Sequence, residues 1–255
     1  MLIKSSWIKT INKCIDVAQT LDAGVLQLDP KQIWHDVDDI YSFFVPPVLI
    51  WDPVSNTKKK HPIICPEHGC EIFATKQWMN SDTDNSRHPR KLVDSTGGML
   101  LVGRVYKCPI GNHFLRTTSN SIIQQCYINN GDVNLCHKTA FKSEFVDTLH
   151  HYVMNGFSFS QIVKLLKERT EKLLDNQIQK YKQECIVNGK TPELEKIKEI
   201  SKLWIKILPK RDCLEDLFKA WFRKNKENLI KEMASLPASI VTIDHTFKVK
   251  NCFKL

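Results

Sequence analysis

The sequence has no long apolar run: no stretch approaches about 18 consecutive apolar residues, so no membrane-spanning helix is expected. Glycine (9) and proline (11) are scarce in 255 residues and neither is periodic, which excludes collagen-like and low-complexity chains. The amino-terminal segment lacks the apolar core and small-residue cleavage site of a secretory signal, being broken by Lys4, Lys9 and Lys13. There is no Gly-rich phosphate loop, no Gly-x-Ser-x-Gly elbow and no internal repeat. Acidic residues are the minority, 28 against 37 Lys+Arg, for a net charge of +9. That excess suits an anionic partner, with nucleic acid the leading one; a merely basic soluble protein is the plainer reading.

What is present is the composition of a folded chain, 42% hydrophobic and 25% charged, long enough for about two domains. Cysteines number nine, and without a secretory signal a reducing compartment is expected, nuclear or cytoplasmic. Disulfides are then not the default, and cysteine beside histidine suggests metal.

The chain divides into four parts. Residues 1–47 read as helical: Trp7, Ile8, Ile11, Ile15 and Ala18 recur at helical spacing. A second short helix opens at Asp29-Pro30 and carries Ile33, Trp34, Val37, Ile40, Tyr41 and Phe44 up to Pro46-Pro47. Residues 48–128 read as short strands flanking two tight turns. Residues 141–235 read as basic helices, and residues 239–249 as a β-branched strand. The expected class is α+β: a small zinc-ribbon-like β domain flanked by helices, then a mostly helical basic region and an orphan terminal strand.

The chemistry-bearing pattern is Cys65-Pro-Glu-His68-Gly69-Cys70, then Cys108-Pro-Ile-Gly111-Asn-His113. Two short ligand pairs, each after a strand and separated by a long gap, follow the logic of two knuckles joined by tetrahedral Zn²⁺. Cys65, His68, Cys108 and His113 are the expected ligands, with Cys70 the replacement if His68 points outward. The opposing reading is core cysteines with surface histidines. Cys136-His137 and His150-His151 read as incidental or solvated, and Cys14, Cys126, Cys185, Cys213 and Cys252 lack ligand neighbours.

Glu144–Asn155, a Gly156 turn, and Phe159–Arg169 have the proportions of a helix–turn–helix. In that arrangement Gln161, Lys164, Lys167 and Arg169 face DNA, the lysines on phosphate and Gln161 on a base edge. An ordinary helical hairpin with solvated Lys/Glu pairs is the plainer alternative. In the terminal strand Asp244 interrupts an apolar run, and a buried carboxylate there calls for compensation by a divalent metal; an exposed strand end is the alternative.

The run Ser235-Leu-Pro-Ala-Ser-Ile-Val-Thr-Ile-Asp244-His245-Thr246-Phe247-Lys248-Val249 resembles the start of the RNase-H-like core of certain eukaryotic DDE transposases. Upstream, Trp51-Asp52-Pro53, Cys65-Pro66, Pro89-Arg90, Tyr106-Lys107-Cys108 and the Gly-Phe-Ser-Phe-Ser-Gln-Ile run from Gly156 resemble a cysteine-rich domain of unknown function found ahead of such cores. The resemblance covers residues 48–249. It implies a transposon-derived, zinc- and DNA-binding protein with Asp244 as a first metal-binding carboxylate. A DDE core needs further carboxylates and a whole sheet, so Mg²⁺ chemistry is expected only if the core is completed elsewhere, by a partner chain or a further copy. No catalysis is expected of this chain alone. The rival expectation is a zinc-stabilised protein-interaction module without nucleic-acid binding.

Overall fold

The structure is a computed structural model and describes residues 5–21, 25–29, 38–58, 61–80, 88–126, 133–135 and 139–235. In chain order its elements are α1 (Ser5–Thr20), β1 (Val25–Leu28), α2 (Ile40–Phe43), β2 (Val48–Trp51), α3 (Pro53–Lys58), β3 (Phe73–Trp78), β4 (Arg90–Val93), β5 (Gly98–Lys107), β6 (Phe114–Arg116), α4 (Asn120–Ile123), β7 (Val133–Leu135), β8 (Thr139–Lys142), α5 (Ser143–Met154), α6 (Phe159–Val187), α7 (Leu194–Ile205) and α8 (Arg211–Ser235). The fold is α+β, with a curled mixed sheet.

The sheet follows from two apolar strands. Val48-Leu49-Ile50-Trp51 is buried on both faces, which is why it reads as a continuous apolar run rather than an alternating one. It lies parallel to the first half of β5, Val48 beside Leu100 and Ile50 beside Val102. Successive side chains take opposite faces. Val48, Ile50, Leu100 and Val102 therefore enter one core, while Leu49, Trp51, Met99 and Leu101 enter another. The strand order is β1-β2-β5-β4-β8-β7, and the far half of β5 pairs with β3 and β6 instead. β5 is thus the shared strand between the large sheet and the two cysteine-bearing hairpins.

Helices cover the first of these faces. Trp7, Ile11, Cys14, Ile15 and Ala18 of α1 meet Leu174, Tyr181 and Cys185 of α6 and Ile197, Ile200 and Trp204 of α7. The Trp204 indole N–H donates to the Phe44 carbonyl at 2.8 Å, so its one polar atom is satisfied in the interior. Burial holds the Cys14 thiol up at about 12. A second helical cluster joins α5, α6 and α8 to Val93 and Phe141 through Phe145, Leu149, Ile162, Leu166, Leu214 and Leu217.

Three details differ from the sequence reading. Val25–Leu28 is a strand paired antiparallel with β2, although its surroundings were expected to be helical. Its pairing partner lies over twenty residues downstream, beyond the reach of local periodicity. The second short helix spans only Ile40–Phe43, capped by the Asp39 carboxylate, which accepts from the Tyr41 and Ser42 amides; positions 33–37 lie outside the described residues. The sheet also recruits β8, parallel to β4, which brings Thr139–Lys142 into the same sheet as residues 48–128. The strand expected over 239–249 lies outside the described residues.

Candidate metal centre

Each expected ligand pair sits in its own hairpin. In the first, Ile64 and Glu71 form an antiparallel bridge. The Cys65 amide donates to the Cys70 carbonyl at 2.7 Å, and the Gly69 amide to the Cys65 carbonyl at 2.9 Å. Gly69 has φ +65°, a left-handed turn position that costs glycine little. The second hairpin is the β5–β6 pair, closed by Lys107 opposite Phe114 and by the Cys108 amide donating to the His113 carbonyl at 3.0 Å.

Tertiary packing brings the two hairpins together. Cys65 Sγ lies 3.5 Å from His113 Nε2 and 3.8 Å from His68 Nδ1. Cys108 Sγ lies 3.7 Å from His68 Nδ1. All four ligand atoms fall within 4.8 Å of one another, and the group can hold a metal ion. Cys65 and Cys108 are buried, His113 is half-buried and His68 is exposed. Cys70 is not one of the four, but its sulfur is 3.4 Å from that of Cys108.

Groups around the cluster orient it. The Gly111 amide points at Cys108 Sγ at 3.2 Å, a hydrogen bond suited to a thiolate. A Cβ on Gly111 would stand 2.6 Å from His113 Nδ1 and closer still to the His68 ring, so only glycine leaves both imidazoles their space. The Glu67 carboxylate lies 3.8 Å from His113 Nδ1, the ring nitrogen other than the one beside Cys65.

Two supports carried no local signal in the sequence. Gln125, just after α4, clamps the first hairpin: its Oε1 accepts from the Ile64 amide and its Nε2 donates to the Ile64 carbonyl, both at 2.8 Å. Asp52 is buried at the end of β2, where Tyr106 donates its hydroxyl to both carboxylate oxygens at 2.9 and 3.1 Å. Arg104 reaches Asp52 Oδ2 at 3.4 Å, and the Ser55 amide donates to Oδ1 at 3.3 Å as the cap of α3. Burial raises the Asp52 carboxyl above its ordinary range, against the pull of the Tyr106 hydrogen bond and the Arg104 charge. Burial and the neighbouring Asp52 raise the Tyr106 phenol as well. In the sequence Asp52-Pro53 only ends the apolar run of β2 and Tyr106 only extends the strand into Cys108; what joins Asp52 to Tyr106 is this network.

α5 and α6 are joined by a turn at Asn155–Ser158, and α6 continues unbroken to Val187. Gln161 closes a capping box with Ser158, accepting from its amide at 2.7 Å. Arg169 donates to the Ser95 carbonyl at 2.7 Å and to the Tyr152 hydroxyl at 2.8 Å. Lys164 and Lys167 lie on the outer surface, each near a glutamate one turn on, Glu168 and Glu171. Asp244 and Cys136-His137 lie outside the described residues. Among the described residues no helix is long and apolar enough to cross a membrane.

No protein-family model, curated protein or solved structure matches this chain.

Proposed function

We propose that the chain is a transposon-derived, zinc-stabilised DNA-binding protein, in which a zinc-ribbon-like pair of knuckles organises one end of the sheet. The observation that carries the metal half is the convergence of Cys65, His68, Cys108 and His113 from two hairpins. Two ligand atoms on one tetrahedral Zn²⁺ stand about 3.3–3.8 Å apart, given Zn–S near 2.3 Å and Zn–N near 2.0–2.1 Å. Three sulfur–nitrogen separations in the cluster, 3.5, 3.7 and 3.8 Å, are compatible with such edges. Four protein donors leave no open position, so the metal supplies folding free energy rather than catalysis.

The DNA half is supported by the net charge of +9 and by where the cations stand. Lys164 and Lys167 of α6 are exposed and would exchange only surface pairs with Glu168 and Glu171 for phosphate, whereas Gln161 and Arg169 would have to give up the cap and the Ser95–Tyr152 contacts. Arg223, Lys224, Lys226 and Lys231 of α8 are exposed and make no ion pair among the described residues. Phosphate contacts of this kind give binding that weakens steeply with salt. The transposase relationship rests on the order of the short motifs along the chain.

A second reading, a zinc-stabilised protein-interaction module, is favoured by one observation. Phe73, Ile110 and Phe114 are 55%, 67% and 57% exposed at the metal-bearing end. Metal analysis of the purified chain, with fluorescence anisotropy on duplex DNA at rising salt, separates the readings. About one zinc per chain and affinity falling steeply with salt support the first. Zinc without DNA affinity at low salt supports the second, and metal-free folded protein removes both.

A further inference from the structure

Cys70 touches the Cys65–His68–Cys108–His113 group, which can hold a metal ion without it. Its sulfur is 3.4 Å from Cys108 Sγ, across the gap between the two hairpins, and it packs against the same small core. Cys70 is half-buried, while Cys65 and Cys108 are fully buried.

We propose that Cys70 and Cys108 form a hydroperoxide-sensitive pair, whose oxidation to a disulfide removes one ligand from the cluster and releases its metal. The proposal rests on the metal-binding reading above. Cys70, the less buried residue of the pair, meets the oxidant first. Its thiolate attacks one oxygen of hydrogen peroxide, the O–O bond breaks, and the departing hydroxide takes up a proton to become water; Cys70 is left as a sulfenic acid. The Cys108 thiolate then attacks that sulfur. The S–S bond forms, the S–O bond breaks, and the leaving hydroxide is protonated to a second water. Two thiols lose two electrons and one peroxide gains them.

Bond formation brings the sulfurs from 3.4 Å to about 2.05 Å, and the shared electron pair of Cys108 is no longer available for coordination. The disulfide joins the same two hairpins that the metal joined. It closes a loop between positions 38 apart in sequence, so the module loses its ion without losing its cross-link.

The test treats the purified full-length chain with hydrogen peroxide. Released metal is read with a chromophoric chelator, and the disulfide by non-reducing peptide mapping. The expected result is one metal released per Cys70–Cys108 disulfide, reversed by dithiothreitol and added zinc. Cys70→Ser should purify with the same metal content and release it about tenfold more slowly. Three results overturn the proposal: release at the wild-type rate in Cys70→Ser, a disulfide mapped elsewhere, or a lowered metal content in untreated Cys70→Ser, which would make Cys70 a ligand. If the wild type carries no metal, the metal reading fails by that measurement alone, and the peptide map still decides whether this pair oxidises.

Discussion

The two ends of β5 are stabilised in different ways. Its first half lies in a sheet buried on both faces, under helices whose apolar stripes supply Trp7, Ile11, Tyr181 and Trp204. Its second half lies between two short strands over a core of Val54, Ile63, Ile72, Tyr106, Leu115 and Ile122, completed by buried Cys65, Cys108 and Cys126 and by half-buried Cys70. The first region has enough apolar surface to hold itself together. The second has little, and it gathers polar devices instead: the Cys/His cluster, the Gln125 clamp and the Asp52–Tyr106–Arg104 network. Where apolar area is short, directional bonds take over, and such a region depends on ligand and protonation state.

The largest expected effect breaks the comparison at the metal. Cys108→Ser, or chelation of the wild type, should abolish metal retention and expose the amides of 61–78 and 105–118 to hydrogen exchange. The amides of α1, α6 and α7 should stay protected. Uniform loss of protection across both regions would show that the two ends of β5 are one cooperative unit. Next is the opposite cut. Trp204→Ala should cost about 3–5 kcal/mol of global stability in urea unfolding, with metal stoichiometry unchanged in the protein that remains folded.

Gly111→Ala should leave the helical region untouched and weaken metal affinity about 10–100-fold, the range seen when orienting partners of a site are disturbed. Competition with a chelator of known affinity measures it. Asp52 sharpens the comparison through pH. Its folded carboxyl is raised by burial, so the stability that the protonated form supplies is present below the unfolded value of about 3.9. It is lost as pH rises through the folded value. Asp52→Asn cannot ionise, so its stability relative to wild type should climb over that window and then level off. Urea midpoints across the window, with a flat difference as the contrary result, check this.

The smallest effects lie on the helical surface. Lys164→Ala should change stability by no more than about 0.5 kcal/mol, since its partner is one turn away and exposed. Each of Arg223→Ala, Lys224→Ala and Lys226→Ala should reduce the salt dependence of DNA binding by about one unit of slope. An unchanged slope would remove α8 from the interface.

Legibility in the sequence followed the range of the interactions. Each ligand pair was visible because its members sit in one tight hairpin, so spacing alone exposed Cys108 with His113 and Cys65 with His68 or Cys70. The apolar run Val48–Trp51 showed a strand for the same local reason. The partnership of Gln125 with Ile64, or of Asp52 with Tyr106, spans 61 and 54 positions, and nothing in either neighbourhood advertises it. Val25–Leu28 was missed because a four-residue strand at a sheet edge carries too little periodicity to outweigh the helical pattern before it.

Composition, charge and ligand spacing were therefore settled by the chain itself: a basic α+β protein with two hairpins bearing soft donors. Only the tertiary structure shows that Cys65, His68, Cys108 and His113 converge, that the Cys70 sulfur lies beside that of Cys108, and that Gln161 and Arg169 are engaged by the protein's own backbone and side chains. The reason is geometric. Turns and periodicities are written over a few residues, whereas the meeting of two hairpins depends on how β5 is shared between two sheets and on every apolar contact that holds it there.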